Sequence, residues 1–264
     1  ATGFSSRLQM ELYFCISMQR AGNTLLGSIL NQNPDVTLTA NSPLTEIIYQ
    51  LDLIKTNNEI PQQQNFPHNK SLDNVIKKTF YTYSETFKTK YVINRCNWGS
   101  DGNLELLEKY FDKKIKFLIL YRNPLECLAS LIKAYKVKKK DSDMEADYFM
   151  NPETGVLGNV IKQIPLVQKN YEHLFITYDQ LIANPKSTVN SVYDFFNIPK
   201  FEHTYKNLEQ FEIQGVRYDD SIFGDIDLHT IRTDKIEKKP YPIEDFLLPS
   251  VIEKYKNIGK KYES

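Results

Sequence analysis

The stretch Glu11–Pro34, ELYFCISMQRAGNTLLGSILNQNP, constrains the fold of this chain more than any other. Leu12-Tyr13-Phe14-Cys15-Ile16 is a short apolar, aromatic and β-branched run, the pattern of a buried strand. Ser17-Met18-Gln19-Arg20-Ala21-Gly22-Asn23 follows as a polar turn with small residues at Ala21 and Gly22. Thr24-Leu25-Leu26-Gly27-Ser28-Ile29-Leu30 then carries apolar side chains at helical spacing. Strand, tight loop and helix together aim free backbone N–H groups at an anion. Small residues let the backbone approach closely, and Arg20 adds a fixed charge with bidentate reach. The alternative for such a stretch is a buried strand–helix turn that holds no ligand.

A nucleotide-hydrolysing phosphate loop needs G-x-x-x-x-G-K-[ST]. Here Ser17 stands at the first Gly and Asn23 at the Lys. That counts against ATP or GTP hydrolysis.

The length of 264 residues suits a single domain spanning 1–264, with residues 1–8 read as a disordered leader outside the fold. Lys+Arg and Asp+Glu both number 33, so no global basic field points to nucleic acid. No apolar run approaches a membrane span, and no signal-peptide core opens the chain. Cys15, Cys96 and Cys127 are odd in number and widely spaced, without a C-x-x-C pair, and read as small thiols in a reducing compartment. The expected location is cytoplasmic.

Strand patterns recur at Val36–Thr39, Tyr91–Asn94, Ile115–Tyr121 and Leu174–Tyr178. Helical patterns separate them: from Pro43, capped by Asn41 or Ser42, then 72–87, 103–110, 125–135, 155–171 and 185–196. The polar stretches 57–70 and 136–147 read as surface loop and solvated helix end, 199–242 as irregular, and 248–258 as a closing helix. Alternating strands and helices predict an α/β three-layer sandwich with a mainly parallel central sheet. Ligands in such sheets sit beyond the strand C-termini. Arg20, Arg95 and Arg122 each follow a strand, so their guanidinium groups are expected to converge on a polyanion.

The first stretch resembles the 5′-phosphosulfate loop of sulfotransferases that use 3′-phosphoadenosine 5′-phosphosulfate (PAPS), written as a strand and then G-x-P-R-S-G-T-T-L-L. Arg20, Gly22, Thr24, Leu25 and Leu26 match; Ser17, Gln19, Ala21 and Asn23 depart. Tyr121-Arg122-Asn123-Pro124 with Ser130 eight residues after the Arg resembles the family's 3′-phosphate motif. There a strand-end guanidinium and a hydroxyl two turns into the next helix pinch one phosphate. Thr177-Tyr178-Asp179-Gln180-Leu181, then Pro185 and a helix ending Phe195-Phe196-Asn197-Ile198, is similar to a third family segment. The resemblance covers roughly residues 11–200 and points to the bacterial, carbohydrate and tyrosylprotein-like branch, with a P-loop-like sulfotransferase fold.

The resemblance implies in-line transfer of a sulfuryl group from PAPS, without a metal, to a hydroxyl or amine of a small-molecule or carbohydrate acceptor. Arg20 would be catalytic. The nucleotide would be bound by Arg20, Ala21, Gly22, Asn23, Thr24 and Leu25, by Arg122 and Ser130, and by Tyr178. Asp227–Lys235 gathers His, Arg and Lys, and Arg232 and Lys235 are assigned to a basic loop closing over the nucleotide. The family's Glu after the second strand is missing from Ala40-Asn41-Ser42, so Glu46, one helical turn on, is the first candidate base, with His68 and Asp101 in reserve. Arg95, Trp98 and His68 are assigned to substrate, Trp98 as a stacking partner for adenine. A non-catalytic PAPS-binding protein and a nucleotide kinase-like enzyme are the alternatives.

Overall fold

The computed structural model describes residues 10–57, 60–224, 228–238 and 242–262. The expected leader at 1–8 and Asp227 of the basic loop lie outside them.

Five strands, β1 (Glu11–Ser17), β2 (Val36–Asn41), β3 (Tyr91–Arg95), β4 (Lys116–Tyr121) and β5 (Glu172–Thr177), form one sheet in the order β2-β3-β1-β4-β5. All neighbouring pairs are parallel. Leu12 to Ile16 are buried without alternation, as a strand covered on both faces requires. In register, Cys15 pairs with Arg95 on one side and Leu118 on the other. The C-terminal ends of β1, β3 and β4 therefore share one edge, which carries Arg20, Arg95 and Arg122.

Helix α1 (Asn23–Leu30) packs along β2. Helices α2 (Leu44–Thr56), α3 (Pro61–Asn65), α4 (Asn69–Glu85) and α5 (Asp101–Tyr110) fill the connections to β3 and β4. Helix α6 (Pro124–Ala134) leaves β4 toward β5, whereas α1 leaves β1 toward β2. The two loops diverge, which opens a crevice between the ends of β1 and β4. Helices α7 (Ser142–Phe149), α8 (Gly158–Asn170), α9 (Tyr178–Ala183), α10 (Pro185–Phe196) and α11 (Pro249–Tyr255) complete the layers.

The stretch read as surface loop contains a helix, and the one read as a solvated helix end holds most of another. In 57–70, Pro61 at a first helical position starts α3. In 136–147, charge hides a buried stripe, Ser142, Ala146 and Phe149, which makes α7 amphipathic. Asp147 also accepts from Lys254 and from the Tyr255 hydroxyl of α11.

Trp98 corrects one expectation. Its side chain is fully buried beside Phe14 at 4.9 Å and Phe80 at 6.0 Å, and its indole N–H donates to Asn94 Oδ1 at 3.0 Å. It is a core residue, unable to stack on a ligand. Burial pushes the Cys15 and Cys127 thiols up to about 12. Among the described residues, no helix is long and apolar enough to cross a membrane.

Candidate active site

A cavity of about 940 Å³ opens at the C-terminal edge of the sheet. That is at the upper end of the about 300–1,000 Å³ usual for a small-molecule site. Arg20, Arg95 and Arg122 all line it, as do Gly22, Asn23, Thr24, Leu25, Ser130, Tyr178, Arg232 and Lys235. Ala21 is fully buried beneath the loop.

The loop after β1 is held open by its backbone. Arg20 at φ 64° and Gly22 at φ 94° are both left-handed. Only glycine is at ease at the second position, because a Cβ there would meet the Tyr178 ring at 2.8 Å. Asn23, at the place of a nucleotide-hydrolase Lys, donates its amide to the Met18 carbonyl at 2.8 Å and so ties the loop down. Helix α1 starts here without a side-chain cap, leaving its first N–H groups toward the cavity. Ser17 Oγ is buried beside it without a hydrogen-bond partner among the described residues.

The second stretch meets the first directly. Asn123 Oδ1 accepts from the N–H groups of Leu125 and Glu126, which together with Pro124 fixes the start of α6. Ser130, two turns on, then accepts from Arg20 Nε at 3.0 Å. Arg122 donates to the Arg20 carbonyl at 2.9 Å and to Glu126 Oε2 at 2.9 Å. Its guanidinium lies 4.3 Å from the Tyr178 ring centre. A reciprocal capping box between Thr177 and Gln180 sets Tyr178 in the first turn of α9. Lys238 balances the carboxylate of Glu126 at 3.1 Å and also reaches Asp179 at 2.7 Å.

Residues 206–224 and 228–237 form a strap over this edge. Leu208 N–H donates to the Thr233 carbonyl at 2.7 Å, and the Gln210 side-chain amide pairs with both backbone groups of Ile231. Phe211 packs on α1 where Gly27 leaves room for its ring. The strap brings Tyr218, Asp220 and His229 into the cavity wall. Tyr218 accepts from Arg95 at 3.1 Å and stacks on the His229 ring at 3.7 Å. His229 Nδ1 lies 2.5 Å from Asp220 Oδ1, and Asp220 Oδ2 accepts from the N–H groups of Leu228 and His229. The Leu228 carbonyl accepts from the Arg20 guanidinium. Burial, with the cations of Arg95 and Arg20, holds the His229 imidazole below its ordinary pKa although Asp220 opposes this. Burial raises the Asp220 carboxyl, but its bonds from His229 outweigh that and hold it low.

Arg232 is exposed on the cavity rim, and Lys235 there pairs with Glu237 at 2.7 Å. Glu46 and His68 are not brought to the cavity. Leu44 and Ile48 turn inward on α2, so Glu46 faces solvent and accepts from Gln50 at 2.7 Å. His68 is exposed at the start of α4, edge-on to Phe66. Asp101, the other reserve base, is exposed in the first turn of α5. Asp220 was missed because its partner lies nine residues away across an irregular segment with no periodic signal. Among the described residues, no group of three or more His, Cys, Asp or Glu is placed to hold a metal ion.

A parallel sheet with a phosphate-type loop after its middle strand faces a guanidinium and a hydroxyl from the next strand–helix unit, the layout of a group-transfer domain. Residues 12–221 match the family model described as the sulfotransferase domain, and the chain belongs to that family. Its fold is shared with the sulfotransferase domain of the Synechococcus PCC 7002 olefin synthase, at 15% identity and a TM-score of 0.55, covering 95% of this chain and 89% of that one. The mouse sulfotransferase SULT7A1 complexed with PAP is similar at 11% identity and a TM-score of 0.52, covering 97% and 84%. No curated protein matches the chain.

Proposed function

We propose that this chain moves a sulfuryl group from PAPS to a hydroxyl or amine of an acceptor and releases 3′-phosphoadenosine 5′-phosphate (PAP). The observation that carries this reading is the bond between Arg20 and Ser130, which joins two phosphate-type motifs at one cavity wall. A ligand with phosphate at both ends of a nucleoside matches two such motifs in a way that ATP does not.

The donor set suits that ligand. Ser17 Oγ is an unspent hydroxyl at the loop, Gly22 keeps a Cβ out of the approach, and the N–H groups at Gly22, Asn23 and Thr24 with the Thr24 hydroxyl would take the 5′-phosphate. Arg122 and Ser130 would take the 3′-phosphate, and Tyr178 would steady the Arg122 guanidinium from behind. Arg232 and Lys235 would close over the ligand from the strap. When bound, PAPS supplies the sulfuryl group and the leaving phosphate. Arg20 would neutralise charge growing on the bridging oxygen, the interaction that matters most when little covalent catalysis is available. Asn23 in place of a Lys speaks against the kinase reading, since its amide is spent on Met18 and carries no charge. A mouse relative that shares the fold is complexed with PAP, which supports the choice of nucleotide.

The test is PAP release from PAPS with a panel of hydroxyl and amine acceptors. Wild type is expected to release PAP, and Arg20→Ala to lose about 10²–10³-fold of that rate. Equal rates in both proteins would overturn the role of Arg20.

A further inference from the structure

With Glu46 outside the cavity, the proton of an incoming hydroxyl needs another destination. We infer that His229, oriented by Asp220, is the residue that takes it. The inference rests on the sulfotransfer reading above.

Four observations carry it. First, the ring lines the same cavity as Arg20 and Arg95. Second, Nδ1 is bound by Asp220 Oδ1 at 2.5 Å, which assigns the proton to Nδ1 and the lone pair to Nε2. Among the described residues, Nε2 has no hydrogen-bond partner. Third, Asp220 is itself fixed, because its other oxygen accepts the N–H groups of Leu228 at 3.1 Å and His229 at 3.0 Å. Fourth, the ring plane is set by Tyr218, stacked at 3.7 Å and 5°, whose hydroxyl is anchored by Arg95. A solvated loop histidine needs none of this. The adjacent Leu228 carbonyl touches the Arg20 guanidinium, so the imidazole is one residue from a contact with the reacting end of the site.

The charged groups facing the ring are Asp220 from the strap, Arg95 from the end of β3 and Arg20 from the loop after β1. Burial, with the two cations, disfavours an imidazolium, so the free base is the resting form, and Asp220 then stabilises the charge once a proton arrives. In the step, the acceptor oxygen forms a bond to sulfur as the bond from sulfur to the bridging phosphate oxygen breaks. The electron pair of the broken bond stays on the phosphate of PAP, and the acceptor's proton moves to Nε2. Asp220 is a positioning residue and stays ionised.

The test combines three readouts on the full chain. Calorimetry with PAP is run first on wild type and His229→Gln. Absence of binding in wild type would sink the nucleotide reading, a failure separate from this one. With binding intact, ¹⁵N-histidine NMR of the PAP complex is recorded, the His229 signals being those lost in His229→Gln. The expected spectrum shows a protonated Nδ1 and an unprotonated Nε2 at neutral pH, with the preference lost in Asp220→Asn. An Nε2-protonated tautomer in wild type would overturn the inference. PAP release from PAPS is then measured with 2-naphthol as the probe, a readout that also counts transfer to water. His229→Gln is expected to lose about 10²–10⁴-fold while PAP affinity stays within a few fold, and imidazole is expected to restore part of the rate to His229→Ala. A His229→Gln rate within threefold of wild type would overturn it.

Discussion

Arg20 Nε donates to Ser130 Oγ at 3.0 Å across 110 residues of sequence. One residue lies in the loop after the middle strand and the other two turns into the helix that follows its neighbour. Their contact makes the two phosphate-type motifs a single surface, and the Arg122 bond to the Arg20 carbonyl locks the same junction from below.

Removing Arg122 separates the two ends of the proposed ligand. Arg122→Ala is expected to weaken PAP by about 1.5–3 kcal/mol, roughly 10–150-fold, and to leave AMP nearly unchanged. Titration calorimetry with both nucleotides measures this. Equal losses would place Arg122 elsewhere than at the 3′-phosphate.

The His229 pKa is held down by burial and two cations, so its free base persists below the ordinary histidine value of 6.5. The rate of transfer is expected to hold from neutral pH to below 6.5 and then fall as His229 protonates. Asp220→Asn removes the one influence that raises this pKa, so its acid limb is expected at lower pH, beneath a reduced plateau. A pH–rate profile of both proteins tests the sign. A limb that moves upward would contradict it.

Gly27 anchors the strap. A Cβ there would meet the Phe211 ring at 2.4 Å, too close to be absorbed without moving the ring. Gly27→Ala is expected to cost about 1–3 kcal/mol of stability and to expose the strap around Phe211 to proteolysis. Because the strap carries His229, Arg232 and Lys235, turnover is expected to fall as well. Limited proteolysis with and without PAP reads this out.

Glu46 faces solvent with Gln50 as its partner. Glu46→Gln is expected to leave PAP release and nucleotide affinity unchanged within about twofold, and stability within about 0.5 kcal/mol. A large loss of turnover at unchanged affinity would return Glu46 to the site.

The sheet and the positions of Arg20, Arg122 and Ser130 along it were legible because each is encoded locally. The apolar run before Ser17 and the polar turn after it announce a strand end, and the Pro124 start of the next helix sets Ser130 two turns beyond Arg122. Convergence of Arg20, Arg95 and Arg122 followed from the parallel sheet alone. The misses are matters of direction. Trp98 follows a strand in a polar stretch, yet Asn94 captures its N–H and turns the ring into the core. Glu46 was placed by distance from Ser42, but burial of Leu44 and Ile48 fixes the helix face and points it away. The loop holding His229 was visible as a basic cluster. Its pairing with Asp220 was not, because a long irregular strap and the Gln210–Ile231 clasp create it.

The most direct test of the nucleotide site is calorimetric titration of the wild-type chain with PAP, with AMP and ATP as controls. The account expects tight binding of PAP that depends on its 3′-phosphate, with AMP at least about tenfold weaker. No binding of PAP, or a preference for ATP, would contradict it.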